Sequence, residues 1–468
     1  MENLHGVAVP ISIDRDREAL TGSGRKENEI ASSATCGSSW RGEVEGPDQT
    51  TTMSILAALQ VATRGARQAG ASVPATWYAR RAYSSSTLGV EVFNPSGQKR
   101  VVVTKMLPGT RWLDILTKKL GARVEVLTDE RFAPTIVPNS AIVDLIGEKC
   151  DGVLGQLTED WSAETFNALK SAGGVVYSNY AVGYNNVNVD DATAVNIAVG
   201  NTPGVLTETT AEITAALTLA AARRVVEADE FMRAGKYLGW LPDLFVGKLL
   251  QRGTLGLIGA GRIGSAYAKM MVEGHYMDLV YFDKFQNTKL EDYMKGYSDF
   301  LQSQGEKGIT CTRVDTVEEV LSVSDVVSLH PLLDKTTHHL INEERLGLMK
   351  EDAILVNAAR GPVVDEVALV AHLQANPNFR CGLDVFEDEP LMKPGLAECK
   401  NATIVPHIAS ASLWTRGGMA TLAAQNISSF LQGHPGYDSP DMTPFVDGDF
   451  DSMPEACPSI VNMDQITR

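Results

Sequence analysis

TLGLIGAGRIG, residues 254–264, decides how the rest of the chain reads. Its opening run is apolar after Thr254, as a strand covered on both faces would be. Glycines follow at 259, 261 and 264, and RIGSAYAKMMVEG (262–274) continues with helical character. In such a strand–turn–helix unit Gly259 permits the tight turn, Gly261 lets a pyrophosphate approach the backbone, and Gly264 lets helix and strand pack closely. Free amides at the start of the helix then face the phosphates. Asp283 closes the next apolar run, DLVYFD (278–283), nineteen residues after Gly264. A carboxylate there accepts hydrogen bonds from a ribose 2′-hydroxyl and repels a 2′-phosphate, which favours NAD(H). Lys284 adjoins Asp283, offsets part of that repulsion, and leaves NADP(H) open.

Working outward, the unit is the first of a series. DVVSLH (325–330), AILVNAA (353–359), CGLDVF (381–386) and ATIVPH (402–407) read as further strands, and 287–311 reads as a polar helical insertion. An earlier series precedes it: RVVVTK (100–105), RVEVL (123–127), DGVLG (151–155), GVVYSN (174–179) and NIAVGN (196–201). One Ala-rich helix is expected from Thr207 to Ala234. Two series of β/α repeats predict an α/β protein with two doubly wound, Rossmann-like domains and a cleft between them. The expected boundaries are a leader over 1–90, the first domain over 91–205, the dinucleotide domain over 206–405, a return to the first domain over 406–435, and a tail over 436–468.

The whole-chain figures narrow the class. The 468 residues carry 41 Lys and Arg against 58 Asp and Glu, a formal charge of −17. That argues against a nucleic-acid partner, which needs clustered basic residues. No apolar run reaches the length of a membrane span, so no membrane partner is expected. The six cysteines are scattered without a C-x-x-C pair, so neither a disulfide framework nor a metal site is expected.

The N-terminal region has a different composition. Residues 1–52 are polar and aperiodic, which reads as disorder. From Met53 to Val90 there is no Asp or Glu, while Arg64, Arg67, Arg80 and Arg81 supply positive charge behind a Leu/Ala-rich start. This is the pattern of a transit peptide, with translation expected to start at Met53 and processing near Tyr83–Ser84. A mitochondrial address is expected, with chloroplast and peroxisome as alternatives. The C-terminal Ile466-Thr467-Arg468 is not an S-K-L-type signal.

Three residues mark the carboxyl ends of successive strands, where an open α/β sheet exposes its ligand crevice. Arg360 follows LVNAA, Glu389 lies in DVFEDEP, and His407 closes ATIVPH. Reducing a 2-keto acid takes a cation for the carboxylate, which a guanidinium fork supplies. It also takes a proton donor, which an imidazole supplies. Glu389 against His407 would favour the charged ring and hold one ring nitrogen.

LIGAGRIG, NAARGPVVDEVAL, GLDVFEDEP and VPHIAS together resemble the D-isomer-specific 2-hydroxyacid dehydrogenase family. The resemblance implies a flavodoxin-like substrate domain beside an NAD-binding domain. It assigns Arg360 to substrate binding and activation, Glu389 to tuning the histidine, and His407 to proton donation. It places the substrate carboxylate on the amides of Val182 and Gly183 within AVGYNNV. It places cofactor contacts on Gly261, Arg262, Ile263, Asp283, Ser328, Ala358, Arg360, Asp384 and the stretch His407–Ser410. Further stretches, among them PGTRWLDIL, CDGVLGQLTEDW and SLHPLLDKTTHHL, resemble members that reduce hydroxypyruvate to D-glycerate with NADH in photorespiration, and glyoxylate to glycolate less efficiently. Such members are mostly homodimers, and EFMRAGKYLGWLPDLF (230–245) is a candidate interface. The competing readings are a 3-phosphoglycerate dehydrogenase-like enzyme and a non-enzymatic, NAD-sensing corepressor-type protein on the same fold.

Overall fold

The structure, a computed structural model, describes residues 88–467; the expected start and processing positions, and all but the last three residues of the expected leader, lie outside them. Two sheets carry the fold. The first is built from β1 (Val90–Phe93), β2 (Arg100–Val103), β3 (Arg123–Leu127), β4 (Gly152–Gln156), β5 (Val176–Tyr180) and β6 (Ala198–Gly200), in the order β1-β3-β2-β4-β5-β6. Strands β2 to β6 run parallel, whereas β1 pairs antiparallel with β3 at the edge. Without β1 the order is that of a flavodoxin-like sheet.

The second sheet holds β7 (Thr254–Ile258), β8 (Asp278–Phe282), β9 (Cys311–Arg313), β10 (Val326–Leu329), β11 (Ile354–Asn357), β12 (Arg380–Leu383) and β13 (Ala402–Ile404), in the order β13-β12-β11-β10-β7-β8-β9. All its pairings are parallel. The first six give the Rossmann order, and β13 extends it by one strand. The order reverses between β7 and β10, the place where a doubly wound sheet opens a crevice. The near-continuous burial of the central strands of both sheets explains why they read as unbroken apolar runs.

The structure departs from the sequence expectations in three respects. Strands β1 and β9 carried no readable signal, being short and at sheet edges. Residues 287–311 are no insertion: the helix Thr288–Ser303 is the crossover from β8 to β9, and it buries Leu290, Met294 and Leu301 against the second sheet. The long helix breaks in two, Thr207–Ala222 and Val225–Arg233, with Arg224 in the left-handed region at φ 56°. The Ala222 carbonyl accepts from the Lys248 amide at 2.8 Å instead of from an amide one helical turn on. Arg224 and Arg380 then hold Glu227 at 2.7 and 2.6 Å.

Residues beyond 435 lie on the first sheet. Phe445, Met453 and Ala456 join its core. Gly200 bridges Ile460 antiparallel, and Val461 donates to the Val199 carbonyl. The tail thus covers the edge that β6 would otherwise leave unpaired. Among the described residues no helix is long and apolar enough to cross a membrane.

Candidate active site

The glycine turn folds as its spacing predicts. Gly259 has φ 93°, and a Cβ there would stand 2.7 Å from the His330 carbonyl carbon across the sheet switch point. A Cβ on Gly264 would meet the Gly259 oxygen at 2.2 Å, so the helix Arg262–His275 sits directly on the turn. Gly261, at the N-cap, faces open space. Such a cradle, close to bare helix-start amides, fits a dinucleotide pyrophosphate. Asp283 follows β8, accepting from the Ala260 amide at 2.7 Å and the Phe285 amide at 2.9 Å. Arg262 is exposed beside the turn.

Between the two sheets lies a cavity of about 500 Å³. Val182, Gly183, Ile263, Ala358, Arg360, His407 and Ser410, all singled out from the sequence, line it. A second cavity adjoins it and shares Gly183, Arg360 and His407, adding Glu389. The strand ends therefore bring together what a stretch of more than two hundred residues keeps apart.

Each polar group is held in place by a specific partner. After β11, Asn357 donates to the Arg360 carbonyl and accepts from the Ala359 amide, which fixes the loop. The Arg360 side chain donates through Nε to Asn185 Oδ1 at 2.9 Å and through Nη1 to the Ala359 carbonyl at 2.6 Å. Its Nη2 lies against Gly183: a Cβ on that glycine would stand 1.7 Å from it. Burial pulls the guanidinium below its ordinary value and the Glu389 charge opposes the pull; the group stays cationic throughout the neutral range. The carbonyls of Val182 and Gly183 accept from Asn201 and Asn179. That ties the loop down by its oxygens and leaves its amides free for an anion.

His407 takes the left-handed region, φ 50°. Its Nδ1 lies 2.8 Å from Glu389 Oε2, while Glu389 Oε1 accepts from the Phe386 amide at 3.0 Å. Burial pushes Glu389 up, but the bond to His407, that ring's charge, the Phe386 amide and the Arg360 charge together hold its carboxyl below the ordinary range. The carboxylate is therefore anionic near neutrality and fixes the imidazole, leaving Nε2 to face the cavity.

Ile263, Ala358 and Ser410 are expected cofactor contacts that line the cavity; the glycine turn, Arg262 and Asp283 lie beside it, and Ser328 and Asp384 lie beneath the surface. Ser328 and Asp384 are both fully buried. Ser328 Oγ bonds His330 Nε2 at 2.9 Å. Asp384 accepts from the Ile408 and Ala409 amides at 2.6 and 2.9 Å, so it shapes the loop that presents His407. Burial raises its pKa against those amides and the nearby His407 charge.

Other contributors were missed. Asn185 orients Arg360, Asn179 and Asn201 anchor the amide loop, and His330 with Leu332 and Leu333 walls the cavity. Burial lowers His330 to about 3, so it is a neutral wall and not a proton donor at physiological pH. Asn185 sits inside the quoted AVGYNNV, but an asparagine in a loop carries no mark of its partner 175 residues away.

Comparison with known proteins agrees with this geometry. Residues 215–409 match the family described as D-isomer specific 2-hydroxyacid dehydrogenase, NAD binding domain. The chain is 60% identical over 376 residues to the peroxisomal glycerate dehydrogenase HPR of Arabidopsis thaliana, covering 80% of this chain and 96% of that protein. It is also 60% identical over 374 residues to the glycerate dehydrogenase of Cucumis sativus, covering 80% and 97%. Among solved structures, the TT0316 protein of Thermus thermophilus matches with a TM-score of 0.63 and 35% identity, covering 77% of this chain and 99% of that one. A nicotinamide-binding sheet, a cleft and a carboxylate-backed imidazole facing a guanidinium thus coincide with close relatives of one kind: the chain belongs to the D-isomer-specific 2-hydroxyacid dehydrogenase family.

Proposed function

We propose that the enzyme reduces hydroxypyruvate to D-glycerate with NADH and, less efficiently, glyoxylate to glycolate. The observation that carries the reading is the convergence on one cavity of the amides of Val182 and Gly183, Nη2 of Arg360, and Nε2 of His407. A carboxylate with a neighbouring carbonyl matches that set. The two amides and one arm of the guanidinium receive the carboxylate, and the same guanidinium polarises the carbonyl oxygen. The bound nicotinamide supplies the hydride. His407 gives the Nε2 proton to the developing alkoxide, and Glu389 stabilises the ring while it is charged.

Asp283 supports NADH over NADPH. Lys284, the adjacent cation that could soften it, bonds Thr336 at 3.3 Å and lies 3.6 Å from Asp334. Exposed Leu238, Trp240 and Leu241 form an apolar surface in the segment already named as a candidate interface, which supports a homodimer. The transit-like leader supports mitochondrial delivery, in a photorespiratory role. Steady-state rates with hydroxypyruvate, glyoxylate, pyruvate and phosphohydroxypyruvate, each with NADH and NADPH, test the catalytic reading. Hydroxypyruvate with NADH should give the largest kcat/KM; preference for the phosphorylated ketoacid, or no turnover, overturns it. Light scattering tests the dimer, and N-terminal sequencing of the native protein tests the leader.

A further inference from the structure

The described residues hold one cluster of three metal-ligating side chains, His338, His339 and Glu387, each offering a donor atom within 4.8 Å of the others. Glu387 also lines the second cavity beside Glu389, but none of the three is among the groups assigned to binding or proton transfer. His338 and His339 lie in the loop between β10 and β11, and Glu387 lies in the loop after β12 that also carries Glu389. His339 Nε2 and Glu387 Oε1 are 2.9 Å apart. The two histidine rings stack with centroids 4.1 Å apart.

We propose that these three residues bind a divalent transition ion of the zinc class, which ties the loop between β10 and β11 to the loop bearing Glu389. Two imidazole nitrogens and a carboxylate oxygen form a donor set that suits zinc and its neighbours and not magnesium or calcium. A tetrahedral ion about 2 Å from each donor needs donors about 3.3 Å apart. His339 and Glu387 are already near that spacing, and exposed His338 is the side chain free to swing in. The ion would replace the proton now shared between His339 and Glu387.

The two inner ligands stand on pinned backbone. The His339 amide donates to the Pro362 carbonyl at 2.8 Å, and His339 holds φ 49° in the left-handed region. The Glu387 amide donates to Glu366 at 2.8 Å, and Glu366 is itself buried. The Asp365 carboxylate lies 3.9 Å from His339 Nδ1, on the far side of the ring from Glu387, where an outer carboxylate orients a ligating imidazole. Two groups compete at Glu387 Oε2: the Glu366 amide, which donates to it at 3.4 Å, and the Lys393 ammonium, 3.7 Å away.

Calorimetric titration of the full chain with zinc chloride tests this independently of the ketoacid reading, because no turnover is measured. One ion should bind, with affinity reduced at least about tenfold by His338→Ala and by Glu387→Gln, on the scale of losing a metal-site partner. Lys393→Gln should tighten binding, and His407→Ala should leave it unchanged. Zinc should raise the Tm of the unsubstituted chain by several degrees and raise that of His338→Ala less at the same zinc concentration. His338 is exposed, so that variant folds. A chain that binds no zinc, that keeps its affinity in either ligand variant, or that binds magnesium equally well overturns the proposal.

Discussion

His407 shows how much of the chemistry depends on the setting of a single side chain. Its ring is oriented by Glu389, its backbone by Asp384, and its free nitrogen by the cavity it faces. Replacing it with alanine removes the proton donor and leaves the fold in place. Reduction should slow about 10²–10⁴-fold in kcat, the usual worth of a general acid, with KM for the ketoacid changed far less. Glu389→Gln should lower kcat of reduction at least about tenfold while changing KM for the ketoacid far less, because a charge-assisted bond to the ring is exchanged for a neutral one. Against the pull of burial, the bond at 2.8 Å to His407 Nδ1 helps hold the carboxyl of Glu389 below its ordinary range, and a neutral amide cannot replace that bond. An unchanged kcat would show that the charge of Glu389 is dispensable. Gly183→Ala would drive a methyl group into the Arg360 fork. The expected result is a KM at least about tenfold higher, as for a lost charge-assisted bond, with circular dichroism unaltered.

Elements position these residues. The helix Arg262–His275 approaches β7 so closely that only a hydrogen fits at position 264. Gly264→Ala should destabilise by about 1–3 kcal/mol, the ordinary cost of overpacking, and should weaken dinucleotide binding by moving the helix start; a denaturant melt and a cofactor titration check both. The Arg360 and His407 loops follow strands already legible as apolar runs, so their placement at the crevice could be read from the sequence. The break at Arg224 could not. It is made by the Lys248 amide and by Arg380, both distant in sequence, while the local composition remains that of one continuous helix.

At the scale of the molecule, stability should respond to pH through a residue with no catalytic task. Glu159 is buried behind the amide loop, accepting from the Gln156 amide and the Trp161 indole. Burial raises its pKa from the ordinary 4.5 to about 7 despite those bonds. Between these values the folded chain keeps a proton that the unfolded chain has released. Stability from this group is therefore full below pH 4.5 and is lost as pH rises through 7. Glu159→Gln should accordingly be more favourable at pH 8 than at pH 5, by up to about 3 kcal/mol; equal Tm differences at the two pH values would refute it.

The sequence by itself determined the two series of parallel strands, though not the antiparallel edge strand β1, together with the dinucleotide turn and the Arg–Glu–His order. Apolar runs, glycine spacing and strand-end residues are local properties, and burial on both faces of a strand leaves a local imprint. Tertiary structure alone decided which of the named residues face the cleft. Ser328 and Asp384 turned inward because buried partners claim their oxygens, while unnoticed Asn185 reached across to Arg360. A side chain's direction depends on neighbours hundreds of residues away, and a hydrogen bond between distant loops leaves no periodicity along the chain.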